Sequence, residues 1–294
     1  MTMKQLSEYM TDNITESILS STRTGKAGID EELKKYGLKP ANATINADGT
    51  IDYDGDVPLQ SNGFTKLPFK FRKVNGDFNC SENNLTTLDG APETVNGDFY
   101  CEYNNLTTLK GAPKTVDGSF YCKNNKLITL EGAPKRIRNS FNCINNSLAS
   151  LKHCPKVINW SFYCHNNQLT SLKDGPEQVG YDYNCSCNKL TTLEGAPDKV
   201  DGSFNCAINR LTNLNHCPQV INAAFNCGYN YLTNLEGGPT YVGTSYFCHN
   251  NQLTSFEGLP KKIKGALYGA NNPGDFTKDD VLKMCNVNRR NIAV

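Results

Sequence analysis

Residues 120–134 read FYCKNNKLITLEGAP. An aromatic, Phe120, stands two residues before Cys122. An asparagine follows the cysteine by three residues, leucines follow by five and eight, and Gly-Ala-Pro closes the stretch. The same order starts again at Phe141 and Cys143. Cys80, Cys101, Cys122, Cys143, Cys164, Cys185, Cys206, Cys227 and Cys248 are each 21 residues apart, with no insertion. Around them run columns of aromatics (Phe78 to Tyr246), asparagines (Asn83 to Asn251), leucines (Leu85 to Leu253), prolines (Pro92 to Pro260) and Val or Ile (Val95 to Ile263). The second leucine column begins at Leu88 and ends in Phe256.

A fixed period of this length is the mark of a solenoid, in which each unit buries its apolar side only against its neighbours. Phe-x-Cys alternates with period two, so both side chains turn inward from one short strand, and successive strands stack about 4.8 Å apart. Cysteine is small and weakly polar and fits beside the bulky ring. The asparagine, leaving the strand, can bond its amide to backbone groups of its own turn and of the next coil. Proline fixes φ on the opposite arc, where no helix is needed.

The unit F-x-C-x-x-N-x-L-x-x-L-x-G-A-P-x-x-V-x-G-x resembles the leucine-rich repeat, whose core is L-x-x-L-x-L-x-x-N-x-L. In length it is similar to the short repeats of secreted bacterial effectors that end in L-x-x-L-P. Phe and Cys replace the usual aliphatics, and Val sits one residue further back. The resemblance covers roughly residues 57–272 and implies a β-rich leucine-rich-repeat horseshoe, with few helices and a parallel sheet on its concave face. The variant G-D-F-x-C-x-x-N-x-L-T-x-L-x-G-A-P, with the opening LSEYMTDNITESILSSTRTGK, resembles repeat proteins of large tailed bacteriophages. That resemblance implies an inhibitor or decoy that acts on a host factor.

The chain has 294 residues and a formal net charge of +1. Near-neutrality gives no global attraction to nucleic acid or anionic lipid. No run of 18 apolar residues suggests a membrane span, and the polar N-terminus lacks the apolar block of an export signal. A cytoplasmic protein, in host cytoplasm if phage-borne, is therefore expected, and its thirteen cysteines are expected to be buried free thiols. Parallel Cβ vectors in a column suit a disulfide dihedral poorly. A column also spreads ligands along a line where zinc needs four around a point. No cofactor or metal is expected.

Residues 1–43 form an N-terminal helical segment in this reading. Within it, residues 4–21 are amphipathic, TRTGKAG breaks the helix, and Asp30 caps a second helix to Gly37. The amphipathic stretch either packs on the cap or serves as a docking or dimerisation arm. Residues 44–77 are read as a β-hairpin turning at Asp48-Gly49 plus a degenerate coil at Val57, Leu59, Asn62, Phe64 and Leu67. Nine repeats follow over 78–266. A C-terminal cap spans 267–294, with a helix starting at Thr277.

Residues the core does not dictate carry the functional reading. On the concave face these include Tyr100, Glu102, Tyr103, Tyr121, Lys123, Tyr163 and His165, with Trp160 and Tyr181 where glycine is usual. Aromatics mixed with Asn and Ser suit protein recognition, so a non-enzymatic protein-binding module is the leading reading. Exposed tyrosines stacking along the ladder merely to stiffen the sheet are the plain structural alternative. A glycan-binding module and a structural or assembly component are the functional ones. The face carries one lysine and no arginine against Glu82, Glu102, Asp77, Asp98 and Asp182, which argues against nucleic acid. His165 and Cys187 on adjacent coils raise a Cys–His hydrolase, but no third residue is placed to orient the imidazole. His153 and His216 read as corner variants of glycine.

Overall fold

The computed structural model describes residues 24–294. The amphipathic stretch at 4–21 lies outside the described residues. The chain winds as a parallel β-solenoid of about twelve turns, and its α-helices among the described residues are two. Each coil places a two-residue Phe-x strand in one 12-stranded sheet. Pairing is parallel and runs in step with the repeat, Phe99 opposite Phe120 and Phe120 opposite Phe141.

One sheet was expected; there are two faces of pairing. The Val or Ile column also forms short strands, such as Thr94–Val95 and Thr115–Val116, which pair in parallel across the coil from the first sheet. These strands form an 8-stranded run that includes the hairpin, then a separate 3-stranded run. The reason is geometric. Coils of identical length stack at one strand spacing everywhere, so any extended stretch meets its copy at hydrogen-bonding distance.

The interior is a set of columns. The strand aromatics, the nine periodic cysteines and both leucine columns are 0% exposed throughout. Each such side chain contributes roughly 1.5–3 kcal/mol of burial, except the smaller cysteines. Phe78, Phe99 and Phe120 stack nearly parallel at 5.4 and 5.1 Å, and Phe141 then turns edge-on at 5.7 Å. The thiols are free. Most donate to the carbonyl one coil ahead, as Cys143 Sγ does to Tyr163 O at 3.4 Å. Burial pushes the Cys143 thiol up to about 12.

The asparagine column forms the expected ladder, but toward the preceding coil. Asn146 Nδ2 donates to Cys143 O and Ile144 O of its own turn and to Cys122 O of the coil before, each at 3.1 Å. Its Oδ1 accepts the N–H of Leu127 at 3.0 Å. The side chain thereby satisfies backbone groups that the turn would leave orphaned in the interior.

A second ladder lies just before the strands. Asp56, Asp77 and Asp98 each accept, through Oδ1, the backbone N–H of the residue 21 positions on, at 2.9, 2.7 and 2.6 Å. Ser119, Ser140 and Ser161 do the same through Oγ at 3.2–3.3 Å, and Asp182 resumes at 2.7 Å. Asp77, Asp98 and Asp182, counted in the sequence as acidic surface, are thus acceptors built into the backbone.

Both ends are covered. Helix α1, Thr24–Lys35, begins six residues before Asp30 and runs through TGKAG, which was expected to break it. An interior glycine costs about 1 kcal/mol. The burial of Leu33 and the packing of Ile29 on the core offset this. Gly37, with φ +72°, ends the helix, and Leu38 N donates back to Leu33 O at 3.0 Å. Strands Ala43–Ile45 and Ile51–Tyr53 pair antiparallel, and the second joins the Val-side sheet. At the other end, α2 (Lys278–Met284) starts at Thr277 with a reciprocal capping box to Asp280. The chain then returns to lay Ile292–Ala293 parallel to Leu267–Tyr268, closing the 12-stranded sheet.

Candidate functional site

The Phe-x sheet exposes the residue between Phe and Cys and the turn beyond. Tyr100 and Tyr121 project from adjacent strands and stack at 4.9 Å with their planes 4° apart. The Tyr100 hydroxyl donates to Asp98 Oδ2 at 2.9 Å. Burial, and then that bond to a carboxylate, push its phenol above the ordinary range. Glu102 is half-buried and its Oε2 has no partner; burial raises its carboxyl, which Lys123 partly counteracts. Lys123 Nζ lies 5.6 Å from the centre of the Tyr103 ring. Tyr103, half-exposed, sits in the turn with φ +54°.

Asn142 interrupts the tyrosines. Beyond it Tyr163 meets His165 edge-on at 6.5 Å. His165 Nδ1 is buried without a partner, and burial holds the imidazole below its ordinary pKa. No hydrogen bond joins His165 to Cys187. Among the described residues no group of three or more His, Cys, Asp or Glu could hold a metal ion. His153 and His216 adopt φ +72° and +65° in the corner position that glycine fills in most coils.

Trp160 and Tyr181 are the most exposed of the proposed residues, at 61% and 54%. They occupy successive coils, linked by Tyr181 N donating to Trp160 O at 3.0 Å. With Asn159 and Gly180 they line a shallow hollow of about 470 Å³. The Asp/Ser ladder makes room for them. Where the ladder residue is Asp56, Asp77, Asp98 or Asp182, the residue 20 positions on is Gly76, Gly97, Gly118 or Gly202. A Cβ there would lie 2.2–2.5 Å from the carboxylate oxygen. Where the ladder residue is Ser119, Ser140, Ser161 or Ser203, that position carries Asn139, Trp160, Tyr181 or Ala223, and only Ser245 is followed by a glycine, Gly265. Serine keeps the acceptor and gives up the bulk.

Apart from Tyr103, the turn column was not singled out from the sequence. Ser61, Glu82, Tyr103, Asn124, Asn145, Asn166, Cys187, Ile208, Tyr229, Asn250 and Asn271 all have φ between 52° and 59°. Asparagine tolerates this left-handed conformation, whereas a β-branched residue is a genuine outlier, at a cost of about 1–2 kcal/mol. Ile208 and Tyr229 accept the strain while 51% and 53% exposed, so burial does not compensate. The signal in the sequence was a column dominated by Asn interrupted by Cys, Ile and Tyr.

No protein-family model and no curated relative matches the sequence. Among solved structures the chain is similar to YopM, a leucine-rich effector protein from Yersinia pestis, at 16% identity and a TM-score of 0.37, over 75% of this chain and 84% of that one. It is also similar to YopM from Yersinia enterocolitica WA-314, at 13% identity and a TM-score of 0.33, over 76% of each. These values are too low to carry a functional argument, and the fold stands on the ladder geometry above.

Proposed function

We propose that this solenoid is a protein-binding module that docks its partner on the tyrosine-bearing side of the Phe-x sheet. The observation that supports it most is the Tyr100–Tyr121 stack, with one hydroxyl fixed by Asp98. Rings held rigid on a ladder lose little entropy on binding, which is how preorganised aromatics gain affinity. Lys123 over Tyr103, unpaired Glu102 and the Trp160–Tyr181 pair extend the surface. The resemblance of the repeats to those of phage proteins supports a host protein as the partner, sequestered or inhibited in the cytoplasm. A second reading, glycan binding, draws on the hollow beside Trp160, where two rings and Asn159 suit a sugar face.

The test compares the wild type with the double variant Tyr100→Glu/Tyr163→Glu in pull-downs from host lysate, with a glycan array in parallel. A protein band lost in the variant, unaffected by any sugar, supports the first reading. An array hit abolished by Trp160→Ala, with no variant-sensitive protein band, replaces it with the second.

A further inference from the structure

Further along the same sheet, the chemistry changes. Cys187, Ile208 and Tyr229 follow one another in the left-handed turn column of three successive coils, each N–H bonded to the next coil's carbonyl at 3.0 Å. Cys187 is the one cysteine that is not buried. Tyr229 is braced edge-on by His249 at 5.2 Å. The stripe is rigid, apolar and open to solvent.

Two positions further lie Lys189 and Arg210 in the first two of these coils and Tyr231 in the third, all exposed. Neither cation forms an ion pair among the described residues. On the far side of the coils some exposed cations do, among them Lys110, Lys114, Lys156 and Lys173. From strand to turn, residues 183–189, 204–210, 225–231 and 246–252 contain no carboxylate, whereas the corresponding stretches 78–84 and 99–105 contain Glu82 and Glu102. An apolar strip edged by unpaired positive charge calls for the opposite charge in its partner.

We propose that the Cys187–Ile208–Tyr229 stripe, edged by Lys189 and Arg210, docks a short acidic peptide segment carrying apolar side chains. The apolar side chains cover the stripe and the carboxylates meet the two cations. Nucleic acid fits less well, because two cations do not make a phosphate track and an exposed Ile has no counterpart on a backbone of phosphates. The site lies apart from the Tyr100–Tyr121 stack and does not depend on it.

The strain in the turn gives the test a readout that a structural role would not produce. A random twelve-residue peptide library is panned on the full chain, and an enriched peptide is labelled for anisotropy. Enriched sequences are expected to combine Asp or Glu with apolar residues. Arg210→Glu should weaken the labelled peptide at least about tenfold. Ile208→Asn should also weaken it, yet raise Tm by about 2 °C by relieving the left-handed isoleucine. Tyr100→Glu should leave this binding unchanged, which separates it from the tyrosine-bearing stretch of the same sheet. The proposal is overturned by basic or neutral enriched sequences, by no enrichment, or by binding indifferent to Arg210→Glu. It is also overturned if Ile208→Asn lowers Tm, or if Arg210→Glu instead dissolves a dimer in sedimentation, making a second copy the occupant.

Discussion

The coils around Asp77 and Asp98 and the coils around Ser140 and Ser161 share one backbone and one interior, yet present different surfaces. In the first region a carboxylate accepts the next coil's N–H and leans on a glycine that cannot become anything larger. In the second a hydroxyl makes the same bond and the next coil carries Trp160 or Tyr181. An aspartate at the ladder position therefore holds the following coil to glycine, whereas a serine leaves room for a larger residue there, aromatic at Trp160 and Tyr181. The lesson is that a solenoid's outward chemistry can be gated by an inward choice one repeat earlier.

The comparison holds only while the common interior holds, and alkali should remove that from both regions together. Twelve of the thirteen cysteines are buried, and where a shift is resolved burial raises the thiol. A thiol with a raised folded pKa stabilises below its unfolded value, near 8.5, and loses that contribution as pH rises beyond it. Each contributes up to about 1.4 kcal/mol per pH unit, so a dozen acting together exceed the whole stability of a typical domain within about one unit. Circular dichroism against pH should show cooperative loss of structure between about pH 9 and 10. A flat trace to pH 11 would mean that the sulfurs reach water.

Transplanting the bulky residue breaks the comparison directly. Gly118→Trp puts a Cβ against Asp98 Oδ1 and the Gly97 carbonyl, and should cost about 3 kcal/mol in urea unfolding. Adding Asp98→Ser should return part of that loss; strict additivity of the two changes would refute the gating.

A smaller effect sharpens the account of the interior. Tyr183 and Tyr246 replace phenylalanine in the aromatic column, and their buried hydroxyls have no partner. In the same coils Gly175 and Gly238 replace the corner alanine, and a Cβ at either would lie 3.4 Å from the phenol oxygen. Tyr183→Phe should therefore stabilise by about 1 kcal/mol in the same assay, since an unsatisfied buried hydroxyl is removed.

Much of this was legible from the residues. The period, the inward Phe and Cys, the asparagine ladder and the Thr277 helix start all follow from spacing and side-chain chemistry. Three features were not. The second sheet depends on two coils being stacked, which no single repeat encodes. The start of α1 was misplaced because two glycines outweigh local propensity until the burial of Leu33 is known. The return of Ile292–Ala293 to the sheet pairs residues 25 positions from their partners, outside the repeat and with no local signal.

On the proposed docking surface, Trp160 and Tyr181 were visible as departures from glycine, but their relation to Ser140 and Ser161 was not. That relation joins residues 20 apart in sequence that touch only across coils. The strain at Ile208 and Tyr229 was likewise hidden, because a backbone angle is not a residue type.

The winding follows from the residues alone, because a repeat of fixed length with apolar residues at fixed positions has one economical way to bury them. Which outward positions are free and which are committed is settled only where coil meets coil. Asp98 is half surface carboxylate and half backbone partner, and Ile208 is held in a conformation it does not favour. The reason is physical: burial is specified by side-chain chemistry within a coil, whereas steric and hydrogen-bond relations exist only between coils.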